Sequence, residues 1–96
     1  MSIRFEWDEA KNRANRKRHG VSFEEARTVF LDENARLIAD PDHSADEERF
    51  LLLGLSLRLR LLVVSHCYRQ SDEVVRIISA RRADPTERRD YARWLK

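Results

Sequence analysis

Three apolar runs of strand length follow one another at residues 49–56, 60–69 and 74–81, joined by connectors of only three and four residues. Parallel neighbours need a crossover of a dozen or more residues, so links this short impose antiparallel hairpins. The second half of the chain is therefore expected to be an antiparallel meander. Strand alternation sets Leu61, Val63, Ser65, Cys67 and Arg69 on one face of the middle strand, and Leu62, Val64, His66 and Tyr68 on the other. With 96 residues in total, the chain has material for one core and hence one domain, residues 1–96.

The first half reads differently. Ile3-Arg4-Phe5-Glu6 alternates as a short strand, and Asp8 follows as a helix N-cap with Glu9 in the first turn. That helix runs to about His19 and stops at Gly20, a residue suited to a left-handed C-terminal cap. Its apolar stripe is only Ala10 and Ala14, so most of its circumference is expected in water, with its cations available to a ligand. Ser22 and Glu25 form the S-x-x-E pattern of a capping box, and Phe23, Ala26, Val29 and Phe30 make the buried face of a second helix. Residues 31–48 are turn-rich and acidic, with a strand at Arg36–Ala39 and a loop from Pro41 through Asp46. After the meander, Asp84, Pro85 and Glu87 open a last helix on which Tyr91, Trp94 and Leu95 share a face. The expected fold is α+β: a short N-terminal strand, two helices, an antiparallel sheet of roughly four strands and a C-terminal helix.

Charge is unevenly placed. Residues 11–20 carry five bases and no acid, residues 21–48 nine acids and two bases, and residues 76–96 seven bases and three acids. Two basic ends around an acidic middle imply one cationic surface. The bases are 16 Arg against 3 Lys, which suits bidentate grip on phosphate, although a GC-rich genome also favours arginine. The acidic stretch 40–48 reads as a solvated loop, or as a surface for a basic partner.

Several classes are excluded. No apolar run approaches the ~18 residues of a membrane span, and Met1–Glu6 lacks the apolar stretch of a signal peptide, so the expectation is a soluble cytoplasmic protein. Cys67 stands alone, and His19, His43 and His66 lie far apart without ligand spacing, so neither a disulfide nor a metal or other cofactor is expected. Gly20 and Gly54 are too few for a phosphate-cradling loop, and no serine has a G-x-S-x-G setting. His66, mid-strand, is expected to be buried and hydrogen-bonded, and Trp7 to be a core aromatic.

What remains is cations at the ends of elements: Lys17 and His19, Arg69, then Arg76, Arg81 and Arg82, with Arg88 and Arg89 beside Tyr91. Arg81 and Arg82 point to opposite faces, so one of them meets the open side of the sheet whichever side that is. RNA cleavage by the ribose 2′-hydroxyl needs little more than charge stabilisation at the phosphorane and a route for protons. Arginine is too weakly acidic to act as an ordinary base. His19, Glu87, Tyr91 or a deprotonated Lys17 are left for proton transfer.

Longer segments now bear on the reading: Phe5-Glu6-Trp7-Asp8-Glu9-Ala10-Lys11-Asn12, Asn15-Arg16-Lys17-Arg18-His19-Gly20-Val21-Ser22-Phe23-Glu24-Glu25-Ala26, Glu48-Arg49-Phe50 before Leu53-Gly54-Leu55-Ser56, Leu61–His66, and Arg76-Ile77-Ile78-Ser79-Ala80-Arg81-Arg82-Ala83 before Glu87-Arg88-Arg89-Asp90-Tyr91. In this order they resemble the BrnT family, the toxin half of BrnT–BrnA type II toxin–antitoxin systems. The resemblance implies a RelE-like ribonuclease fold and a metal-independent endoribonuclease that arrests translation and growth. It also implies a cognate BrnA-like antitoxin, through which the complex binds promoter DNA and oligomerises. Taken with the cation placement, it marks Arg81, Arg82 and Arg69 for the phosphate, His19 or Tyr91 for protons, and Lys11, Lys17, Arg76 and Arg88 for RNA contact. The alternative is a non-catalytic module that binds nucleic acid or partners an antitoxin. One departure stands out: relatives usually carry Gly where this chain has Leu59, in the turn Leu57-Arg58-Leu59-Arg60.

Overall fold

Strands β1 (Arg4–Glu6), β2 (Arg36–Ile38), β3 (Phe50–Leu55), β4 (Leu61–Arg69) and β5 (Val74–Arg82) form one sheet in the order β1-β5-β4-β3-β2. Helices α1 (Glu9–His19) and α2 (Phe23–Thr28), the latter running into a 3-10 turn at Val29–Leu31, precede β2, and α3 (Pro85–Trp94) follows β5. This computed structural model describes residues 3–40, 49–70 and 73–95. The loop expected over Pro41–Asp46, and with it His43, lies outside the described residues, as do the central residues 71 and 72 of the second connector.

The expected α+β class holds, but the strand count is five rather than about four. The meander β3-β4-β5 is antiparallel as its short connectors require, and β2 pairs antiparallel with β3. β1 joins the same sheet on its other side, parallel to the start of β5, with Arg4 opposite Val74 and Glu6 opposite Arg76. Alternation marks residues 3–6 as a strand but carries no information about a partner that far along the chain.

The helices α1 and α2 cover one sheet face. Val21, Phe23, Ala26 and Val29 pack on Leu52, Leu62, Val64, Val75, Ile77 and Ala80. Each large member, such as the wholly buried Phe23 and Leu62, contributes about 1.5–3 kcal/mol by leaving water. Gly54 is required here: a Cβ on it would stand 2.7 Å from the Ala35 Cβ and 2.9 Å from Val29 Cγ1. His66 is buried as expected, its Nδ1 donating to the Val64 carbonyl at 3.1 Å, among the rings of Phe30, Phe50 and Tyr68.

The caps follow the sequence closely. Asp8 accepts from the Ala10 amide, Gly20 ends α1 at φ 70°, and Asp84 and Glu87 close a complete capping box on α3. Three local expectations need correction. Ala10 and Ala14 are exposed, and the buried residues of α1 are Asn12 and Asn15. Their amides bond where an apolar stripe would only pack: Asn12 receives the Phe23 amide at 2.8 Å, and Asn15 takes both backbone groups of Ala80 on β5, donating at 2.8 Å and accepting at 3.1 Å. At α2 only half of the capping box forms, because the Glu25 carboxylate turns inward to Arg60 and the Ser56 hydroxyl, leaving Ser22 to accept from the Glu25 amide. Leu95 follows α3 and is 54% exposed, so the helix packs through Tyr91 and Trp94 without it. No helix among the described residues is long and apolar enough to cross a membrane.

Candidate functional site

The second sheet face is only half covered. Leu53 and Val63 pack under Tyr91 of α3, with Ile38, Leu51, Leu55, Leu61, Ala83 and Trp94 around them. Over the β1, β5 and β4 side the face carries polar residues. Glu6 stands beside Arg76, Cys67 lies opposite Arg76, Ser65 opposite Ser79, and Val63 opposite Arg81.

A register shift builds this face. Ser65 pairs with Ser79 while His66 pairs with Ile77, so Ile78 is an extra, unpaired residue in β5. Arg76 and Arg81 are five residues apart, and strict alternation would send them to opposite faces. The bulge re-phases the strand. Ile77 and Ala80 both turn to the helix-covered core, and Arg76, Ser79 and Arg81 all turn to the open side.

Each arginine there is held by a carboxylate. Arg76 Nη1 donates to Glu6 Oε2 at 2.9 Å, and Arg69 Nε reaches the same oxygen at 3.6 Å. Arg81 donates from Nη1 and Nη2 to the two oxygens of Glu87, at 2.9 Å each, and from Nη1 to the Arg82 carbonyl at 3.2 Å. Glu87 Oε1 also accepts the Asp84 amide at 2.9 Å, so one carboxylate both caps α3 and orients the arginine. The Arg81 guanidinium lowers the Glu87 pKa, and Glu87 in turn raises that of Arg81. The pair is therefore ionised at neutral pH. With 57%, 30% and 41% of their side chains exposed, Arg69, Arg76 and Arg81 keep N–H groups toward solvent. Such an array suits an oxyanion more than any neutral ligand.

The other sequence-derived residues lie elsewhere. Arg82 pairs with Leu62 on the helix side of the sheet and is exposed at its end. Arg88 is exposed on α3. Lys11, Lys17 and His19 lie exposed on α1, across the edge of β5. Tyr91 is buried, and its hydroxyl donates to Asp32 Oδ2 at 2.6 Å. Burial and the Asp32 carboxylate push the phenol up to about 12. Asp32 also accepts the Leu55 amide at 2.7 Å, which fastens α3 to the end of β3. Sequence reasoning missed Glu6 and Asp32. Glu6 had a signal, since alternation in β1 sets it opposite to Phe5, but its arginine partners come from strands not yet placed. Among the described residues, no three His, Cys, Asp or Glu side chains gather as they would around a metal ion.

Residues 7–87 match the profile of the ribonuclease toxin BrnT of type II toxin–antitoxin systems. The chain belongs to the BrnT family. A solved relative, the Brucella abortus ribonuclease toxin BrnT, superposes with a TM-score of 0.65, covering 86% of this chain and 99% of its own at 24% identity. At that identity the likeness is one of fold. No curated protein matches the chain closely. The BrnT match includes Arg69, Arg76, Arg81, Arg82 and Glu87, and leaves Glu6, Arg88 and Tyr91 just outside. Membership of a type II ribonuclease-toxin family brings with it an antitoxin partner and an RNA target.

Proposed function

We propose that the chain is a metal-independent endoribonuclease of RelE-like architecture, one toxin domain that cuts RNA on the open sheet face and so arrests translation in the cytoplasm. A BrnA-like antitoxin neutralises it and supplies the promoter-DNA contacts and the oligomerisation of the complex. The observation that carries the reading is the bulge-aligned row Arg76, Ser79 and Arg81, with Arg69 alongside.

In this reading a phosphodiester lies across β5 and β4. The ribose 2′-oxygen attacks the adjacent phosphorus, forming the O2′–P bond, and the P–O5′ bond breaks to leave a 2′,3′-cyclic phosphate and a 5′-hydroxyl. Arg76 and Arg81 face the non-bridging oxygens as charge builds on the phosphorane, where the loss of one such donor typically costs ~10²–10³ in rate. Glu6, beside Arg76, accepts the proton of the 2′-hydroxyl, and the departing 5′-oxygen takes one from water. Tyr91, whose hydroxyl is given to Asp32, and His19, on α1, are assigned no proton in this step.

The test is incubation of the purified protein with total RNA in excess EDTA, with Arg76→Ala and Arg81→Ala in parallel. Cleavage by the parent and its loss in both variants is the expected result. Equal cleavage by all three would overturn the site. RNA retained in a salt-sensitive way but never cut, on ribosomes or off, would turn the reading to a binding module.

A further inference from the structure

A second cationic feature lies outside the open face. Where β1 stops at Glu6, the later part of β5 has no strand beside it, and α1 lies there instead, with Asn15 bonded to Ala80 in place of a neighbouring strand. Between the helix and the strand runs a cleft of about 420 Å³, lined by Lys11, Lys17, Arg18 and His19 of α1 and by Ile78 and Ser79 of β5. None of the described residues lining it is acidic.

Two properties separate these side chains from the arginines of the open face. The arginines of the open face are each tied to a carboxylate, whereas Lys11, Lys17, Arg18 and His19 have no ion pair or side-chain hydrogen bond among the described residues. Stabilisation of the helix C-terminus accounts for bases in the last turn. It does not account for Lys11, which stands at the opposite, positive end of the helix and gains nothing from the dipole. Lys11, Lys17 and Arg18, all lining one cleft, repel one another, and an anion removes that cost.

The cleft also continues the face already described. Ser79 lines it and stands on the open face two residues from Arg81, a step of about 7 Å along the strand. The unpaired Ile78 of the bulge, next to Ser79 in β5, lines the cleft as well.

We propose that this cleft binds the sugar–phosphate backbone of single-stranded RNA flanking the cut, so that the strand crosses the edge of β5 from the open face onto α1. The proposal rests on the ribonuclease reading for its ligand. Phosphates in the cleft meet Lys11, Lys17 and Arg18 while bases lean on Ile78, and nothing there reads sequence. A single strand is the ligand that uses the whole lining, because its unpaired bases are free to lean on Ile78 while a duplex keeps its bases stacked inside.

The test uses a fluorescent 12-nucleotide 2′-O-methyl RNA, which cannot be cut, and reads anisotropy against salt. The triple variant Lys11→Ala, Lys17→Ala, Arg18→Ala is compared with Arg13→Ala, Arg27→Ala, Arg93→Ala, which removes equal charge from exposed positions outside the cleft. Alanine at exposed helix positions keeps helix propensity, and circular dichroism checks the fold of both. Expected is weakening of roughly tenfold or more in the cleft variant, with the slope of log K against log salt smaller by about 2, and a clearly lesser effect in the control. Equal losses in the two variants, or none in the cleft variant, overturn the proposal. So does a cleft variant that binds RNA normally but no longer binds the antitoxin, since the cleft then belongs to a protein partner. If the parent cuts no unmodified RNA while cleft-dependent binding persists, the ribonuclease reading fails and the strand path stands.

Discussion

Glu87 holds the Arg81 guanidinium with both carboxylate oxygens, at 2.9 Å each, while closing the N-terminal cap of α3. The geometry is a fork meeting a fork, which lysine cannot reproduce. Arg81→Lys is therefore expected to lower the single-turnover rate of RNA cleavage by ~10²–10³, nearly as far as Arg81→Ala. Stability should change by less than about 1 kcal/mol in urea, because the arginine is partly solvated. A lysine variant with near-parental cleavage would show that charge alone suffices.

Asn15 bonds α1 directly to β5. It donates to the Val21 and Ala80 carbonyls, both at 2.8 Å, and accepts from the Ala80 amide at 3.1 Å. Asn15→Ala leaves buried backbone groups unpaired and is expected to cost roughly 3 kcal/mol. The urea midpoint should fall with the slope unchanged. A change below the error of extrapolation would mean water replaces the amide.

Leu59 adopts φ 63° in the β3–β4 turn and is 79% exposed. An L-residue in that conformation carries a penalty of about 1–2 kcal/mol, part of which glycine returns as unfolded-state entropy. Leu59→Gly should stabilise the protein by about 0.5–1 kcal/mol by the same denaturation measurement. The left-handed turn is thus kept here with a leucine, at a cost.

Burial lowers the His66 pKa. A histidine depressed in the folded state gives stability that is complete above its unfolded value of about 6.5 and is lost as the pH falls below it. Stability should therefore begin to decline below about pH 6.5, before the carboxylates titrate. The Glu25 pKa is lowered by Arg60 and Ser56, so its contribution is lost only at more acid pH, below its ordinary value of about 4.5. In His66→Leu the first decline should vanish and the second remain, as read from urea midpoints between about pH 2.5 and 8. A parent profile that is flat to pH 5 would contradict the assignment.

Features that depend on near neighbours were legible in the residues. Asp8, Gly20 and the Asp84–Glu87 box mark helix ends wherever they occur, and short connectors compel antiparallel pairing. The bulge was not legible, since nothing in Arg76-Ile77-Ile78-Ser79-Ala80 distinguishes the unpaired residue from a regular one. Its absence from the reading also hid the alignment of Arg76 with Arg81. Asn12 and Asn15 escaped for a different reason: a hydrophobic pattern cannot register a face buried through hydrogen bonds. Glu25 satisfies a helix-start pattern and leaves it because Arg60, thirty-five positions on, is a stronger partner.

The pairing of β1 with β5 sets the order in which this molecule comes into being. Arg4 must wait for Val74 and Glu6 for Arg76, so the first strand made is among the last to be seated. Contacts of such sequence separation close late and slowly. While the chain emerges from the ribosome, α1 and the early strands have no central strand to pack on, and Glu6 has no arginine. The open face is complete only once residue 82 is free to pair. A chain still being made therefore has its basic residues in sequence but not yet side by side, and the open face is a property of the finished molecule alone.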